Sequence, residues 1–212
     1  MVESILNIFL ANQHSPRLSQ YTLLLTLATI MDTHDPLTSE HSRKVGMYSF
    51  LIARELGLSN SNQSMLKLAG LLHHIGKVGI RKTLIYKPDR LSSKEMDEMK
   101  KHVIIGYEVV VEIPHLVNTA EAILYHHERL DGKGYPCGLT AEEIPLGARI
   151  LSVADSFDAM VSSRLYKPTL SVRNALEELE ICSNTQFDPK IVKALRYYFE
   201  DRNFRLPKET TY

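Results

Sequence analysis

Apolar residues recur at the period of an α-helix along almost the whole chain, and this limits the folds open to it. Within residues 61–75, five apolar side chains share one stripe of a helix. They are Met65, Leu68, Ala69, Leu72 and Ile75. Gly76 follows them as a predicted C-terminal cap. The alternation of apolar and polar residues that marks a half-buried strand is absent over any useful length, so the sequence predicts an all-α fold.

Capping residues and prolines indicate where the other helices begin and end. Ser92 and Glu95 form a capping-box pattern ahead of a helix predicted to run to about Val111. Further helices are predicted at about residues 116–127, 145–162, 171–182 and 189–200. The stretch Asp131–Pro145 contains three glycines and two prolines, which predicts an irregular loop.

The length of the chain, 212 residues, fits one globular domain that can bury a proper core. No internal repeat, linker or low-complexity segment divides it. We predict three parts: a helical extension at residues 1–17, the domain at 18–205 and a tail at 206–212.

Composition favours a cytoplasmic protein. Cys137 and Cys182 cannot form a disulfide framework, which indicates a reducing compartment. The longest apolar run, Tyr21 to Met31, is too short for a membrane span. Acidic and basic residues number 25 each, so no overall charge attracts bulk nucleic acid or an anionic membrane. Any anionic substrate must therefore be bound by a local cluster of charges.

Histidine is the residue type that points to chemistry, because two of the nine histidine positions are followed directly by another histidine. The candidate metal ligands are His41, His73, His74, His102, His126, His127 and Asp155. Imidazole together with carboxylate suits iron, manganese, cobalt, nickel or zinc rather than calcium or magnesium. Taken alone, His102 on an amphipathic helix favours a structural or solvated position, and the pair His126-His127 is equally compatible with an ordinary polar helix end. His14, His34 and His115 are predicted to lie at the surface.

The order and spacing of these residues resemble the HD-GYP family. The most specific match is the string His126-His127-Glu128-Arg129-Leu130-Asp131-Gly132-Lys133-Gly134-Tyr135-Pro136. Around it, in the order of the family, occur His41, His73-x-x-Gly76-Lys77, His102 and Asp155-x-Phe157-Asp158. The resemblance covers about residues 20–200. It implies a helical, metal-dependent phosphodiesterase that hydrolyses cyclic di-GMP.

The resemblance also implies a role for each candidate residue. It assigns His41, His73 and Asp155 to one metal ion, and His102, His126 and His127 to a second, as in two-metal phosphoesterases. Iron or manganese is the expected metal, with zinc, nickel or cobalt as alternatives, at one or two ions per chain.

Two further residues are expected to act in catalysis. Lys77 would neutralise a phosphate oxygen as negative charge builds up, and Asp158 would orient the attacking water or a metal ligand.

Substrate binding is assigned by the same resemblance. Lys77, Arg164 and Lys167 would contact the phosphates of cyclic di-GMP, and Tyr135 of the Gly134-Tyr135-Pro136 motif would contact the substrate or a partner domain. A diguanylate-cyclase-type or sensor domain is the partner that the family implies, and a homodimer is compatible with it.

The chain departs from the family at one position. The family is named for a His-Asp doublet, and this sequence has His73-His74. A carboxylate can ligate two metal ions at once, whereas a neutral imidazole has only one free acceptor nitrogen. We therefore expect the ion on His41, His73 and Asp155 to survive, the second ion to be weakened and phosphodiesterase activity to be impaired.

Two other functions remain open from the sequence. His74 favours a catalytically weak or inactive module that binds cyclic di-GMP or a partner domain. A phosphohydrolase of ordinary nucleotides is the second alternative, and the completeness of the Asp131–Pro136 segment disfavours it.

Overall fold

The computed structural model describes Thr26 and residues 36–162 and 169–201. Within the two ranges the chain forms nine α-helices, which we number in chain order. They are α1 (Pro36–Glu55), α2 (Asn60–Leu72), α3 (Lys82–Ile85), α4 (Ser93–Lys100), α5 (His102–Val111), α6 (Val117–Tyr125), α7 (Leu146–Val161), α8 (Val172–Ile181) and α9 (Pro189–Asp201). Short 3-10 helices occur at Ile75–Gly79 and Ala141–Glu143. The described ranges contain two isolated β-bridges and no β-strand. The all-α prediction is confirmed.

Local capping signals account for several helix starts. The Ser92 hydroxyl accepts from the Glu95 backbone N–H, and the Glu95 carboxylate accepts from the Ser92 backbone N–H, so the predicted capping box is present. Ser171 caps α8 by accepting from the backbone N–H of Asn174. Each such bond gives a partner to a backbone donor that the first helical turn leaves free.

Two details of the predicted helices were wrong. The segment from Ser92 to Val111 is two helices that meet at Lys101, so His102 begins α5 rather than lying mid-helix. Gly76 is not a C-terminal cap, because α2 ends at Leu72 and Gly76 lies in the following 3-10 helix. A Cβ atom at position 76 would overlap the carbonyl oxygen of His102, so close packing between the two segments is what requires glycine there.

Two apolar cores hold the helices together. The larger core joins α1, α2, α7, α8 and α9, and the ring of Tyr48 packs edge-on against Phe157 at its centre. The smaller core joins the end of α2 to α5 and α6 through Leu72, Val110 and Ile123. Because α2 contributes to both cores, its C-terminal end is fixed relative to α1 and α7 on one side and to α5 and α6 on the other.

Several predictions fall on residues outside the described ranges. These are the extension at 1–17, the two boundaries of the predicted domain and, apart from Thr26, the apolar run from Tyr21 to Met31. No helix in the described ranges combines the length and hydropathy needed to cross a lipid bilayer.

Candidate metal centre

The seven residues predicted as metal ligands come together from five parts of the fold. They are His41 of α1, His73 and His74 after α2, His102 at the start of α5, His126 and His127 after α6, and Asp155 of α7. They form two sets, which we call the first and second histidine sets. Helix packing therefore brings ligand-type side chains from distant parts of the chain to one place.

The first histidine set consists of His41, His73 and His74, whose ligand atoms all lie within 4.8 Å of one another. The Asp155 carboxylate joins it, with Oδ1 3.0 Å from His41 Nε2 and 3.8 Å from His73 Nε2. Ligand atoms about 2.0–2.2 Å from one ion lie roughly 3 to 4 Å from each other. These separations therefore suit atoms that share a metal ion.

The second histidine set consists of His102, His126 and His127, whose ligand atoms likewise lie within 4.8 Å of one another. The two sets are neighbours, since the ring centroids of His73 and His126 are 5.5 Å apart. The second set contains only imidazoles, whereas the first set has the carboxylate of Asp155.

Backbone hydrogen bonds orient three of these imidazoles in the same way. Nδ1 of His73, His102 and His126 donates to the carbonyl oxygen three residues earlier, at Gly70, Met99 and Ile123, over 2.7, 2.9 and 2.7 Å. Each Nε2 is then an acceptor, and all three are buried without a hydrogen-bond partner.

Such unpartnered buried groups are costly unless something binds them. Fixing one ring nitrogen on a backbone carbonyl is also how metal-binding histidines are commonly held. The residues present therefore fit a transition-metal ion in each set.

Burial keeps most of these imidazoles neutral at pH 7. It lowers the pKa of His73 to about 3 and that of His102 to about 4. It also lowers the pKa values of His74, His126 and His127. His41 differs, because burial would lower its pKa but the Asp155 and Asp158 carboxylates raise it overall. Neutral imidazole is the form that binds metal.

Asp158 holds His41 in place. Its side chain is fully buried, and Oδ2 accepts a hydrogen bond of 2.6 Å from His41 Nδ1. Its other oxygen accepts from the Ser162 hydroxyl over 2.8 Å, and that hydroxyl accepts from Lys44 Nζ over 3.2 Å. Of the two expected tasks for Asp158, orienting a metal ligand is the one that this geometry favours.

Lys77 lies beside both histidine sets. It lies in the 3-10 helix that begins directly after His74. Its positive charge adds to burial in lowering the pKa values of His73, His74, His102 and His127. A cation at this position can attract an anionic substrate toward the metal centre.

The loop that carries the Gly134-Tyr135-Pro136 motif is attached to the second histidine set. Gly134 packs so tightly on the backbone of residues 127–129 that no Cβ atom could be accommodated. The Tyr135 backbone N–H donates to the His127 carbonyl oxygen over 3.2 Å, and the ring centroids of the two residues lie 4.8 Å apart.

The Tyr135 ring also has a cation beside it. Lys100 Nζ is 5.3 Å from the Tyr135 ring centroid, which is within the range of a cation–π contact. Burial raises the pKa of Tyr135, so the phenol stays protonated near neutral pH.

Glu128 holds the other end of this loop. Its carboxylate is 2% exposed and accepts three backbone hydrogen bonds, from Cys137 at 2.6 Å, Gly138 at 3.0 Å and Leu139 at 3.1 Å. Three successive N–H groups around one carboxylate form a strong, charge-assisted cap. Sequence reasoning assigned no role to Glu128, although its place directly after the two histidines was a usable signal.

Sequence reasoning also missed Ser162, one helical turn after Asp158, and Lys44, which reaches the Ser162 hydroxyl from a distant part of the chain. His115 is exposed, as predicted. Arg164 and Lys167 lie outside the described residues, so their predicted contacts with phosphate remain predictions.

Comparison with known proteins places this site in a family. The HD domain family model matches residues 26–191. A cyclic di-GMP phosphodiesterase of Thermotoga maritima is 40% identical over 176 residues, which are 82% of this chain and 48% of that protein. The response regulator RpfG of Xanthomonas campestris, also named a cyclic di-GMP phosphodiesterase, is 40% identical over 174 residues, or 81% of this chain and 46% of that protein. The chain thus spans about half the length of the curated relatives it matches.

Solved structures share the fold at lower identity. A cyclic GMP-AMP phosphodiesterase of Vibrio cholerae superimposes with a TM-score of 0.65 at 22% identity, covering 85% of this chain and 49% of that one. Bd1817 of Bdellovibrio bacteriovorus, described as an HD-GYP-type protein, superimposes with a TM-score of 0.63 at 21% identity, covering 92% of this chain and 69% of that one.

Proposed function

The chain belongs to the HD domain family, in its HD-GYP branch, and on that premise we propose that it is a metal-dependent phosphodiesterase that opens cyclic di-GMP. The observation that carries this proposal is the set of buried Nε2 atoms on His73, His102 and His126, which lack hydrogen-bond partners. The ring centroid of His126 lies 5.5 Å from that of His73 and 5.8 Å from that of His102. A site of this kind suits metal-assisted hydrolysis.

His41, His73 and Asp155 would hold one ion, and His102, His126 and His127 a second. Ions bound there would polarise a phosphate oxygen and lower the pKa of a water molecule. Asp158 fixes the ring of His41, Lys77 attracts the substrate phosphate, and Tyr135 offers a phenol proton at the rim of the site. Arg164 and Lys167 are proposed to contact the phosphates.

The names of the relatives support a cyclic dinucleotide as the substrate. Those from Thermotoga maritima and Xanthomonas campestris are named for cyclic di-GMP, and a Vibrio cholerae protein that is 33% identical over 92% of this chain is named for 3′3′-cGAMP. Both ligands are doubly charged, so the same cations could bind either. Cyclic di-GMP is our choice, because the most similar of these relatives are named for it.

His74 is proposed to impair hydrolysis. The family doublet supplies a carboxylate that can touch two ions, and the His74 imidazole cannot. We expect His74→Asp to raise the rate of cyclic di-GMP hydrolysis by roughly a thousandfold, which corresponds to about 4 kcal/mol of transition-state stabilisation. The assay compares wild type and His74→Asp after identical anaerobic loading with Fe²⁺ or Mn²⁺, and measures bound metal as well as product.

Three substrates and one control variant make this assay decisive. Cyclic di-GMP, 3′3′-cGAMP and a nucleoside triphosphate are compared in parallel. Asp155→Asn in the His74→Asp background should abolish the gain, since it removes the carboxylate of the first set. Preferential hydrolysis of the triphosphate would contradict the proposed substrate class, and equal rates for wild type and His74→Asp would show that His74 is no defect.

A second candidate function is a module that binds cyclic di-GMP without cutting it, and His74 is the observation that favours it. Calorimetric titration of wild type and Arg164→Ala with cyclic di-GMP measures binding apart from turnover. Binding by wild type that weakens in Arg164→Ala, with no hydrolysis in wild type, would support the binding module.

A further inference from the structure

His74 cannot bridge two ions as the family's carboxylate does, and its surroundings indicate a different role. Its Nδ1 atom is buried without a hydrogen-bond partner. Its ring centroid is 3.8 Å from that of His73 and 5.3 Å from that of His41, but 6.0 Å from that of His102 in the second set. The ring therefore belongs to the first histidine set rather than midway between the sets.

His74 also lacks the constraint that orients its neighbours. His73, His102 and His126 each commit Nδ1 to a backbone carbonyl, so only Nε2 can face a ligand. The buried Nδ1 of His74 makes no such bond, so this nitrogen is not committed to a backbone carbonyl. One nitrogen of His74 already lies within 4.8 Å of the ligand atoms of His41 and His73.

We propose that His74 is a terminal ligand of a single ion that is also held by His41, His73 and Asp155, and that it shifts the metal preference of this site from Mn²⁺ toward Zn²⁺, Co²⁺ and Ni²⁺. The inference rests on the metal assignment in the proposed function and deepens it. Where the family doublet supplies oxygen, this chain supplies a third imidazole nitrogen. Nitrogen ligands suit zinc, cobalt and nickel, whereas carboxylate and water oxygen suit manganese.

The two sets should then differ in strength. The first set would present three imidazoles and one carboxylate to its ion. The second set presents three imidazoles and no carboxylate, and the carboxylate that would have joined it to the first ion is missing. We therefore expect one tightly bound ion, in the first set, and a weaker one.

The test is a metal titration of chelator-treated protein with Zn²⁺, Co²⁺ and Mn²⁺ in competition with a chromophoric chelator. Almost any protein site binds Zn²⁺ more tightly than Mn²⁺, so the informative quantity is the ratio of the two affinities compared between variants. We expect His74→Asp to lower the Zn²⁺-to-Mn²⁺ ratio by at least about tenfold, because it replaces a nitrogen ligand that suits zinc with an oxygen ligand that suits manganese. The visible absorption of bound Co²⁺ should change as well.

Two further variants assign the effect to the first set. His74→Ala should lose at least about tenfold in Zn²⁺ affinity at the tight site, because loss of a residue that merely supports a ligand already costs about 10- to 100-fold in affinity. His115→Asp makes the same side-chain change at an exposed histidine and should leave the ratio unchanged. Each of these variants is also measured in combination with His127→Ala, which removes a ligand of the second set. The tight ion should remain in these double variants, because it is held by the first set.

The outcomes separate this inference from the proposed function. An unchanged ratio in His74→Asp, or full Zn²⁺ affinity in His74→Ala, would overturn the terminal-ligand role. The proposed phosphodiesterase would then still be judged by hydrolysis in His74→Asp. If the chelator-treated wild type binds none of the three ions, the inference and the metal-dependent mechanism both fail.

Discussion

Removing the Glu128 carboxylate should loosen the loop beside the second histidine set and measurably destabilise the domain. In Glu128→Ala, the N–H groups of Cys137, Gly138 and Leu139 lose their shared acceptor. A hydrogen bond to a charged group contributes about 1.5 to 3 kcal/mol. Residues 137 and 138 are exposed, so water can replace part of what is lost.

We therefore expect a loss of about 2 to 4 kcal/mol in the free energy of unfolding, below the full value of three such bonds. For a domain of this size, that lowers Tm by roughly 5 to 15 °C. Glu128→Gln should fall between wild type and Glu128→Ala. Its carbonyl oxygen can still accept two N–H groups, but its amide would face a third donor.

Calorimetric or circular-dichroism melting of the full chain checks this order. Glu142→Ala is the matched control, because that glutamate lies near the same loop and its side chain is 91% exposed beside Arg149. An exposed substitution of this kind should change stability by no more than about 0.5 kcal/mol. A Glu128→Ala protein that melts within about 1 °C of wild type would refute the role given to the carboxylate.

Two further substitutions test how the metal centre is held. Gly134→Ala should lower the free energy of unfolding in urea by about 1 to 3 kcal/mol, because the added methyl meets the backbone of residues 127–129. It should also weaken metal binding by the second set. Unchanged stability would contradict the close packing. Asp158→Asn should lower the metal affinity of the first set by about 10- to 100-fold with normal helix content, since it weakens the bond that orients His41. Titration with Zn²⁺ measures this, and wild-type affinity would mean that the bond does not position His41.

Local chemistry made much of the fold predictable. The capping box of Ser92 and Glu95 and the cap at Ser171 depend on atoms within three residues, so the sequence contains all the information they need. The same holds for the all-α class, which follows from periodicity. The break at Lys101 was not predictable in this way, because nothing in the local pattern separates α4 from α5.

Contacts between distant segments account for what sequence reasoning missed. Gly76 was misread as a helix cap because its real constraint is the His102 carbonyl oxygen on another helix. The candidate ligands were assigned to two groups only through the family resemblance, since spacing alone does not show which histidines meet. Lys44 and Ser162, which support Asp158 from positions 118 residues apart, gave no sequence signal of their partnership.

The contact between His41 and Asp158 also has a consequence for how the protein is made. These residues are 117 positions apart, and Asp155, which joins His41 in the first set, lies on the same late helix. During synthesis α1 emerges long before α7, so a nascent chain exposes His41, His73 and His74 without the carboxylates that complete the site. Domains generally fold as units once their parts are available. On the proposed metal assignment, all the ligands of the first set can therefore meet an ion only after α7 has left the ribosome.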